Sequence, residues 1–291
     1  MTEIPAGKID KTVPQAARVW DYLLGGKDNY EVDRQVADKI IKAMPEAVDL
    51  ARAARQFKTR VVSYLAETRD VAQFLDIGPG LPSAASTHEV AQGFKRAARV
   101  IYVDNDPLVL ARARALLPST TLEGGTCQCV EADLRDPDKI LRAARSTFDW
   151  GRPVALTLMG VLDFVPDQRE AVDVVGHLME QLPPQSFLAL YGTTNYVNGS
   201  RVDEAVQIWN DSGTTTPMRI RTAPQIAEFL RNLIFEWPGV VPLHQWGPEF
   251  PDLLGEPVDA FAAVGRKRPM SPTTAVGAGV PSTGSSPDVS R

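Results

Sequence analysis

The 291-residue chain has few of the residues that mark disulfide-stabilised or metal-binding proteins. It contains two cysteines and three histidines, and their positions match no metal-ligand spacing. Cys127 and Cys129 stand two apart in a strand-like run, which puts both on one face and disfavours a disulfide between them. We expect them to be reduced, buried packing residues of a cytoplasmic protein that binds no metal.

Long apolar runs and an excess of basic residues are also missing. No apolar stretch approaches the roughly 20 residues that span a bilayer, and the N-terminus lacks the basic start and apolar core of a signal peptide. The formal net charge is -5, whereas proteins that bind phosphate backbones need a concentrated basic surface. We therefore expect neither a membrane nor a nucleic acid as partner.

The chain contains a helical N-terminal segment followed by alternating strands and helices. Residues 12–66 carry apolar residues at helical spacing in three segments. From residue 73, apolar runs alternate with helical stretches, which predicts a doubly wound, mostly parallel α/β sheet. The predicted strands are QFLDIG, ARVIYVD, CQCVEAD, PVALTLM, SFLALYG, a weaker GVVPL and AFAAVG. We expect a helical cap over 1–70, a ligand-binding domain over 71–268, and a disordered tail over 269–291, rich in Pro, Gly and Ser.

The first predicted strand ends in a glycine-containing turn, Asp76-Ile77-Gly78-Pro79-Gly80. Ligands of doubly wound sheets bind at such turns, where glycine lets them approach the backbone closely. The dinucleotide fingerprint is incomplete, because Ser83 stands in place of the third glycine. The Asp76 carboxylate would repel a pyrophosphate but attract an amino-acid ligand with ammonium and sulfonium groups. The alternative is an ordinary strand-to-helix turn.

The second and third predicted strands also end in aspartates. Asp104 can accept both hydroxyls of a ribose in charge-assisted hydrogen bonds. Asp133 can accept an adenine amino group, with Leu134 packing on the ring. Solvent-exposed aspartates at strand ends are the alternative. Because the carboxyl ends of parallel strands converge, we expect Asp76, Asp104 and Asp133 to face one crevice.

The three motifs resemble those of class I S-adenosylmethionine-dependent methyltransferases. Residues 17–30, ARVWDYLLGGKDNY, narrow the resemblance to an actinobacterial S-adenosyl methyltransferase family long catalogued as a domain of unknown function. The segments THEVAQ (87–92), FVPD (164–167) and Arg221-Thr222 also match, and the resemblance covers about residues 12–268. It implies a Rossmann-like seven-stranded sheet with an antiparallel last strand under an N-terminal helical cap, and S-adenosylmethionine as cofactor.

The resemblance also implies which residues bind the cofactor. These are Asp76, Gly78, Gly80, Asp104, Asn105, Asp133 and Leu134, to which we add Pro79 within the glycine turn. We expect the turn over residues 25–30 to cover the donor, with Tyr22, Gly26 and Asn29 contributing to the site. The alternative for this turn is a helix C-terminus followed by a surface loop.

Catalytic candidates are weaker, because methyl transfer depends mainly on positioning. The resemblance leads us to expect a histidine after Leu162 and another after the fifth strand, where this chain has Asp163 and Gly192-Thr193. Our candidates for an acid–base role are His88, Asp163, Tyr22 and Tyr30. A helix-start histidine and an exposed loop carboxylate are the alternatives for the first two. The Trp209, Trp237 and Trp246 region is a candidate wall of an acceptor pocket, with core packing as the alternative.

The sequence therefore predicts methyl transfer from S-adenosylmethionine to a small-molecule acceptor. One alternative is a non-catalytic S-adenosylmethionine-binding sensor or scaffold. A less favoured alternative is an NAD(P)-dependent reductase, since no tyrosine is followed four residues later by the lysine of the short-chain reductase pair.

Overall fold

The computed structural model describes residues 9–82, 85–116, 124–247 and 256–269. It begins with three helices, α1 (Ala16–Leu23), α2 (Glu31–Ala43) and α3 (Ala47–Glu67), as the apolar periodicity predicts. Asp33 joins the first two, because its carboxylate accepts hydrogen bonds from the backbone N–H of Tyr30 (2.8 Å) and of Gln15 (3.0 Å). One buried side chain thus fixes the start of both helices.

A single mixed sheet forms the centre of the molecule. Its strands are β1 (Gln73–Ile77), β2 (Arg99–Asp104), β3 (Thr126–Glu131), β4 (Ala155–Met159), β5 (Phe187–Thr193), β6 (Ile234–Phe235), β7 (Val241–Pro242) and β8 (Ala260–Arg266). Their order is β3-β2-β1-β4-β5-β8-β6, and β7 also pairs with β8. Strands β1 to β5 are parallel, and β8 runs antiparallel to β5. The order reverses between β1 and β4, which creates the crevice where doubly wound sheets bind ligands.

The doubly wound sheet and its antiparallel last strand confirm the predicted fold, with one difference in strand count. We predicted seven strands, whereas β6 and β7 are two separate strands of two residues each. Ile234 and Phe235 were missed because two residues show no periodicity, and both side chains are exposed.

Helices connect the strands and cover both faces of the sheet. They are α4 (Thr87–Phe94), α5 (Pro107–Leu116), α6 (Pro137–Thr147), α7 (Gln168–Gln181), α8 (Ser200–Asn210) and α9 (Ala223–Glu228), with short 3-10 helices at Val161–Phe164 and Leu243–Gln245. Helices α1–α3 and α8 share one apolar core with alternate strand residues such as Phe74. Helices α6 and α7 share the other core with the intervening residues such as Leu75. The central strands are therefore buried on both faces, as their continuous apolar runs predict.

Both cysteines are free, but the structure corrects their predicted burial, since each is only half-buried. The reason is that β3 lies at the edge of the sheet and has a strand neighbour on one side only. Partial burial still raises the pKa of the Cys127 thiol to about 11. Within the described ranges, no group of three or more His, Cys, Asp or Glu side chains is arranged to hold a metal ion. None of the helices described is both long enough and apolar enough to cross a membrane.

Candidate functional site

A cavity of about 230 Å³ lies at the carboxyl ends of β1 to β5. The sheet forms its floor, and helices α1, α2, α3 and α8 contribute side chains to its walls. This is the position that the reversal of strand order predicts for a ligand site. The residues at one end are mostly polar and those at the other are mostly apolar.

The polar end is built from the residues that follow β1, β2 and β3. Asp104 lies at the end of β2, accepts a hydrogen bond from the backbone N–H of Asp106 (2.9 Å), and lines the cavity. Burial raises the pKa of this carboxyl to about 7. Asn105 donates from Nδ2 to Oδ2 of Asp133 (3.0 Å), which joins the ends of β2 and β3. Asp133 and Leu134 also line the cavity.

Gly78 and Gly80 have positive φ angles, +69° and +70°, and both line the cavity. A Cβ at Gly78 would lie 2.5 Å from Cγ2 of Val161, so a side chain there would collide with the 3-10 helix after β4. A Cβ at Gly80 would have no atom within 4 Å. Gly78 therefore permits close packing, while Gly80 leaves open space beside its backbone for a ligand.

The apolar end lies under the helices. Its walls are contributed mainly by Trp20, Leu23, Ile40, Met44, Leu50, Phe164, Val202, Val206, Trp209 and Met218. The rings of Phe164 and Trp209 meet edge to face, with centroids 5.9 Å apart. Of the three tryptophans that we considered for a pocket, Trp209 lines this cavity. Trp246 is packed in the core against Phe57, and Trp237 is 62% exposed.

Asp163 lies on the 3-10 helix after β4, lines the cavity and is almost completely buried. Oδ2 of its carboxylate accepts a hydrogen bond from the backbone N–H of Thr193 (3.0 Å), while Oδ1 is buried without a hydrogen-bond partner. Burial raises the pKa of Asp163 to about 7. The structure thus corrects the alternative of an exposed loop carboxylate.

Arg221 holds the segment that carries Asp163. Its guanidinium donates to the carbonyl oxygens of Leu162 (2.7 Å) and Val165 (2.5 Å) and to Oε1 of Gln168 (2.7 Å). The backbone N–H of Arg221 also donates to the carbonyl of Thr193 at the end of β5. Together these bonds hold the 3-10 helix after β4 against β5. Arg221 is therefore a positioning residue at this edge of the cavity.

The structure corrects the expectation that Asp76 faces the same crevice as Asp104 and Asp133. Its side chain is fully buried and accepts hydrogen bonds from the hydroxyls of Thr87 (2.5 Å) and Thr157 (2.9 Å). Asp76 is the penultimate residue of β1; its carboxylate faces α4 and β4 and is not among the cavity walls. Burial raises its pKa, and the ammonium of Lys58 opposes that shift.

His88 also lies away from the cavity, at the start of α4. Its Nδ1 is 3.0 Å from the hydroxyl oxygens of both Ser86 and Tyr102, and burial lowers its pKa. The side chain is 6% exposed and packs edge to face against Tyr102. This arrangement agrees with the alternative of a helix-start histidine in a hydrogen-bonded structural cluster.

The turn over residues 25–30 does not contribute to the cavity walls either. Asp21 organises it, because Oδ2 of Asp21 accepts from the backbone N–H of Asp28 and from Nδ2 of Asn29, both at 2.9 Å. Gly26 lies so close to Asp21 that an added Cβ would be 2.0 Å from Oδ1. Sequence reasoning expected this turn over the donor, whereas its Asn29 side chain bonds to Asp21 and its Asp28 side chain pairs with Arg112.

The remaining predicted residues are placed nearby but outside the cavity. The Tyr22 hydroxyl donates to Oδ1 of Asp38 (3.0 Å). Tyr30 packs with Leu81 and Leu108, and Pro79 lines a separate pocket of about 20 Å³ beside Lys58. None of these three side chains contributes to the described walls of the larger cavity.

Sequence reasoning missed several groups around the site. Lys58 was detectable, because it falls on the core-facing stripe of α3 formed by positions 54, 57, 58, 61, 62 and 65. The contacts of Arg221 had no local signal, since its partners lie more than fifty residues away in the chain. The apolar faces of α1, α2 and α8 could be predicted from the spacing of their apolar residues. Which of these faces meet over the sheet depends on tertiary packing and could not be predicted.

The cavity suits S-adenosylmethionine better than a dinucleotide. Carboxylates of Asp104, Asp106, Asp133 and Asp163 line it, and in the described part of the chain Arg135 is its only lining cation. Oδ2 of Asp106 is buried without a hydrogen-bond partner. A cationic nucleoside–amino-acid conjugate would be stabilised here, whereas a pyrophosphate would face carboxylates. The sheet topology and the position of this cavity are those of class I methyltransferases.

Comparisons with known proteins agree with this class. A family model described as S-adenosyl methyltransferase matches residues 2–268. The crystal structure of a DUF574-family protein from Streptomyces avermitilis is 37% identical, with a TM-score of 0.83, over 89% of this chain and 99% of that one. A candidate methyltransferase from Thermobifida fusca is 35% identical, with a TM-score of 0.79, over 91% of this chain and 98% of that one.

A curated relative, trans-aconitate 2-methyltransferase from Escherichia fergusonii, is 29% identical over 163 residues. That match covers 54% of this chain and 51% of the relative, so the chain spans about half the length of this relative. The family-model match covers nearly all the described residues, and the chain belongs to the S-adenosyl methyltransferase family. It is an S-adenosylmethionine-dependent methyltransferase, and S-adenosylmethionine is its cofactor.

Proposed function

We propose that the chain transfers the methyl group of S-adenosylmethionine to a small molecule bound at the apolar end of the same cavity. The observation that carries this proposal is the continuity of the cavity. It extends from the aspartates after β2 and β3 to the apolar end under α1, α2 and α8, which we call the chamber. A donor at the polar end and an acceptor at the apolar end would meet beside Asp163. The curated relative acts on trans-aconitate by its name, but this chain matches only about half of it.

The donor would be held by the polar end of the cavity. Asp104 would accept the ribose hydroxyls, and Asp133 and Leu134 would bind the adenine. Gly78 and Gly80 would let the amino-acid part approach the backbone. Asp76 acts indirectly in this proposal, by fixing β1 to α4 and β4 through Thr87 and Thr157. Its buried carboxylate therefore supports the turn without touching the donor.

When bound, S-adenosylmethionine supplies a methyl group activated by a positively charged sulfur. The task of the protein is then to align the acceptor and to exclude water, and such positioning contributes about 7–11 kcal/mol in favourable cases. The walls of the apolar end, including Trp20 and Trp209, exclude water from the acceptor.

Asp163 is our proposed proton acceptor, and the other three candidates are not used. It lines the cavity, and a pKa of about 7 suits a group that takes up a proton at neutral pH. The ionised form is the active one, so turnover should rise with pH through about 7. His88, Tyr22 and Tyr30 have other hydrogen-bond or packing partners and do not line the cavity.

We further propose that residues 1–70 act as the cap that covers the acceptor and that residues 71–268 form the donor-binding unit. The walls that α1, α2 and α3 supply to the cavity support this division. The predicted tail over 269–291 lies, except for residue 269, outside the described residues. The cytoplasmic location remains a prediction from the sequence.

Calorimetry with S-adenosylmethionine and with NADH tests the donor part of this proposal. We expect saturable binding of S-adenosylmethionine and none of NADH at the same concentration. Turnover of methyl-labelled donor with a metabolite mixture tests the transfer. Preferential binding of NADH, or donor binding that is unchanged when Asp104 and Asp133 are both replaced by alanine, would contradict the proposal.

A further inference from the structure

We propose that the acceptor is an uncharged, predominantly apolar molecule, and that the cavity selects against anionic acceptors. This inference rests on the proposed function, because it concerns the part of the cavity that the donor does not occupy. It specifies the chemical class of the substrate from the side chains that surround it.

The first observation is the chemistry of the chamber walls. Helices α1, α2, α3 and α8 contribute apolar side chains, including Trp20, Leu23, Ile40, Leu50, Val206 and Trp209. Leu23, Leu50 and Trp209 are also members of the buried core, so these walls are held in place by packing on their far sides. An acceptor gains binding free energy here by removing apolar surface from water.

The second observation is the lack of a free cation on these walls. Among the described residues, Arg135, which directly follows Leu134 after β3, is the only lysine, arginine or histidine that lines the cavity. Its guanidinium already contacts Asp133 (3.5 Å) and Glu170 (3.3 Å) and donates to the carbonyl of Phe164 (3.0 Å). Arg135 is therefore engaged by two carboxylates and a backbone oxygen.

The third observation is the negative charge of Asp163 in the cavity wall. Asp163 contributes a carboxylate to the wall, and its nearby cation, Arg221, directs its donors to backbone carbonyls and to Gln168. An acceptor carboxylate or phosphate would lose its hydration, meet no free cationic side chain on the described walls and lie near Asp163, with the donor sulfonium as its only partner of opposite charge. Burying an unpaired charge in such a place is strongly unfavourable.

A hydroxyl or amine on an otherwise apolar acceptor fits the same groups. Its oxygen or nitrogen forms the new bond to the methyl carbon, its proton passes to the Asp163 carboxylate, and the electron pair of the broken bond remains on the donor sulfur. Atoms and charge balance without a further reactant.

Matched probe pairs test this inference. We would measure binding of 2-naphthol, indole and 1-decanol by calorimetry with the protein saturated with S-adenosylhomocysteine. The matched anions are 2-naphthoate, indole-3-carboxylate and decanoate. We expect at least one uncharged probe to bind, and each bound probe to be preferred over its anion by about tenfold or more. Equal or tighter binding of the anions, or binding by no uncharged probe, would overturn the inference.

A variant with a cation introduced into the chamber wall gives an independent test. Val206→Arg places a cation on the chamber wall and should shift the preference towards the anions. Gln207→Arg is the matched control, because it adds the same single charge to an exposed position on the same helix, outside the cavity walls. Met218→Lys, in an irregular segment of the wall, is a second variant if Val206→Arg does not fold. An unchanged preference in a folded wall variant would count against the inference.

The same experiments separate this inference from the proposed function. S-adenosylmethionine binding and labelled-methyl turnover report on the proposed function, while the probe preference reports on the acceptor class. Donor binding with a preference for anions would overturn the inference alone, and loss of donor binding in the unmodified protein would overturn both.

Discussion

Oδ1 of Asp163 and the nearest guanidinium nitrogen of Arg221 lie 3.9 Å apart, and no hydrogen bond joins them. Both side chains are almost completely buried. Arg221 instead donates hydrogen bonds to the carbonyl oxygens of Leu162 and Val165, which lie on either side of Asp163 in the sequence. The pair therefore balances charge at long range while Arg221 fixes the backbone around Asp163.

Replacing Arg221 with methionine should destabilise the protein. The substitution keeps much of the side-chain volume but leaves Asp163 buried without its nearby cation and two carbonyls without donors. Removing one member of a buried pair costs about 3–5 kcal/mol. Urea denaturation would measure the change. Arg219→Met is the control, because Arg219 is exposed; equal losses in the two variants would contradict the role of Arg221.

The stability contribution of Asp163 should fall as the pH rises. The pKa of Asp163 in the folded protein is about 7, above the ordinary 3.8. Between pH 3.8 and pH 7 the folded state therefore retains a proton that the unfolded state has lost. Asp163→Asn removes this titration. The stability of the variant relative to the unmodified protein should therefore increase from about pH 4 to pH 7, by at most ~4 kcal/mol.

Denaturation curves at several pH values provide the measurement for this prediction. Asp173→Asn is the matched control, because Asp173 is exposed on α7, where it forms a 3.9 Å ion pair with the exposed Arg169. A relative stability of Asp163→Asn that does not change with pH would show that the carboxyl is ionised in the folded protein throughout this range.

Asp104→Ala should weaken donor binding without unfolding the protein. If Asp104 accepts hydrogen bonds from the ribose, their loss costs about 1.5–3 kcal/mol, because bonds to a charged group are the stronger kind. This corresponds to an increase of roughly ten- to more than a hundredfold in the dissociation constant. Calorimetry with S-adenosylmethionine measures it, with Asp173→Ala as the control. Unchanged affinity would remove Asp104 from the donor site.

Donor affinity should also depend on pH through the same residue. Burial raises the pKa of Asp104 to about 7 in the free protein, whereas a bound cation with hydroxyl donors favours the ionised form. Binding at lower pH should therefore release a proton, and affinity should rise with pH up to about 7 and then level off. Calorimetry in buffers of different ionisation enthalpy detects the proton. In Asp104→Asn the release should disappear; a release of the same size there would assign it to another group.

Most of the fold was predictable because its signals are local and repeated. The glycine turn after β1 and the aspartates after β2 and β3 are adjacent to strong apolar runs, so their place at the carboxyl edge followed from sequence. The short strand Ile234–Phe235 was not predictable, because it exists only through its pairing with β8.

Site residues were predictable where their position follows from the end of a strand. They were unpredictable where their role depends on the direction in which the side chain points. Asp104 and Asp76 both lie near the carboxyl ends of neighbouring parallel strands. Asp104 is the last paired residue of β2 and lines the cavity, whereas Asp76 does not. Asp76 lies one residue before the end of β1 and faces Thr87 on α4, a partner that no pattern in the chain identifies. Likewise, within the 25–30 turn the Asn29 side chain bonds to Asp21 and the Asp28 side chain pairs with Arg112, neither of which the sequence indicates.

The most direct test of the central claim is a crystal structure of the protein with S-adenosylhomocysteine. We expect the ribose hydroxyls against Asp104, the adenine beside Asp133 and Leu134, and the sulfur directed towards the chamber under α1 and α8. A nucleoside bound outside this cavity, or one whose ribose contacts neither Asp104 nor Asn105, would contradict the account.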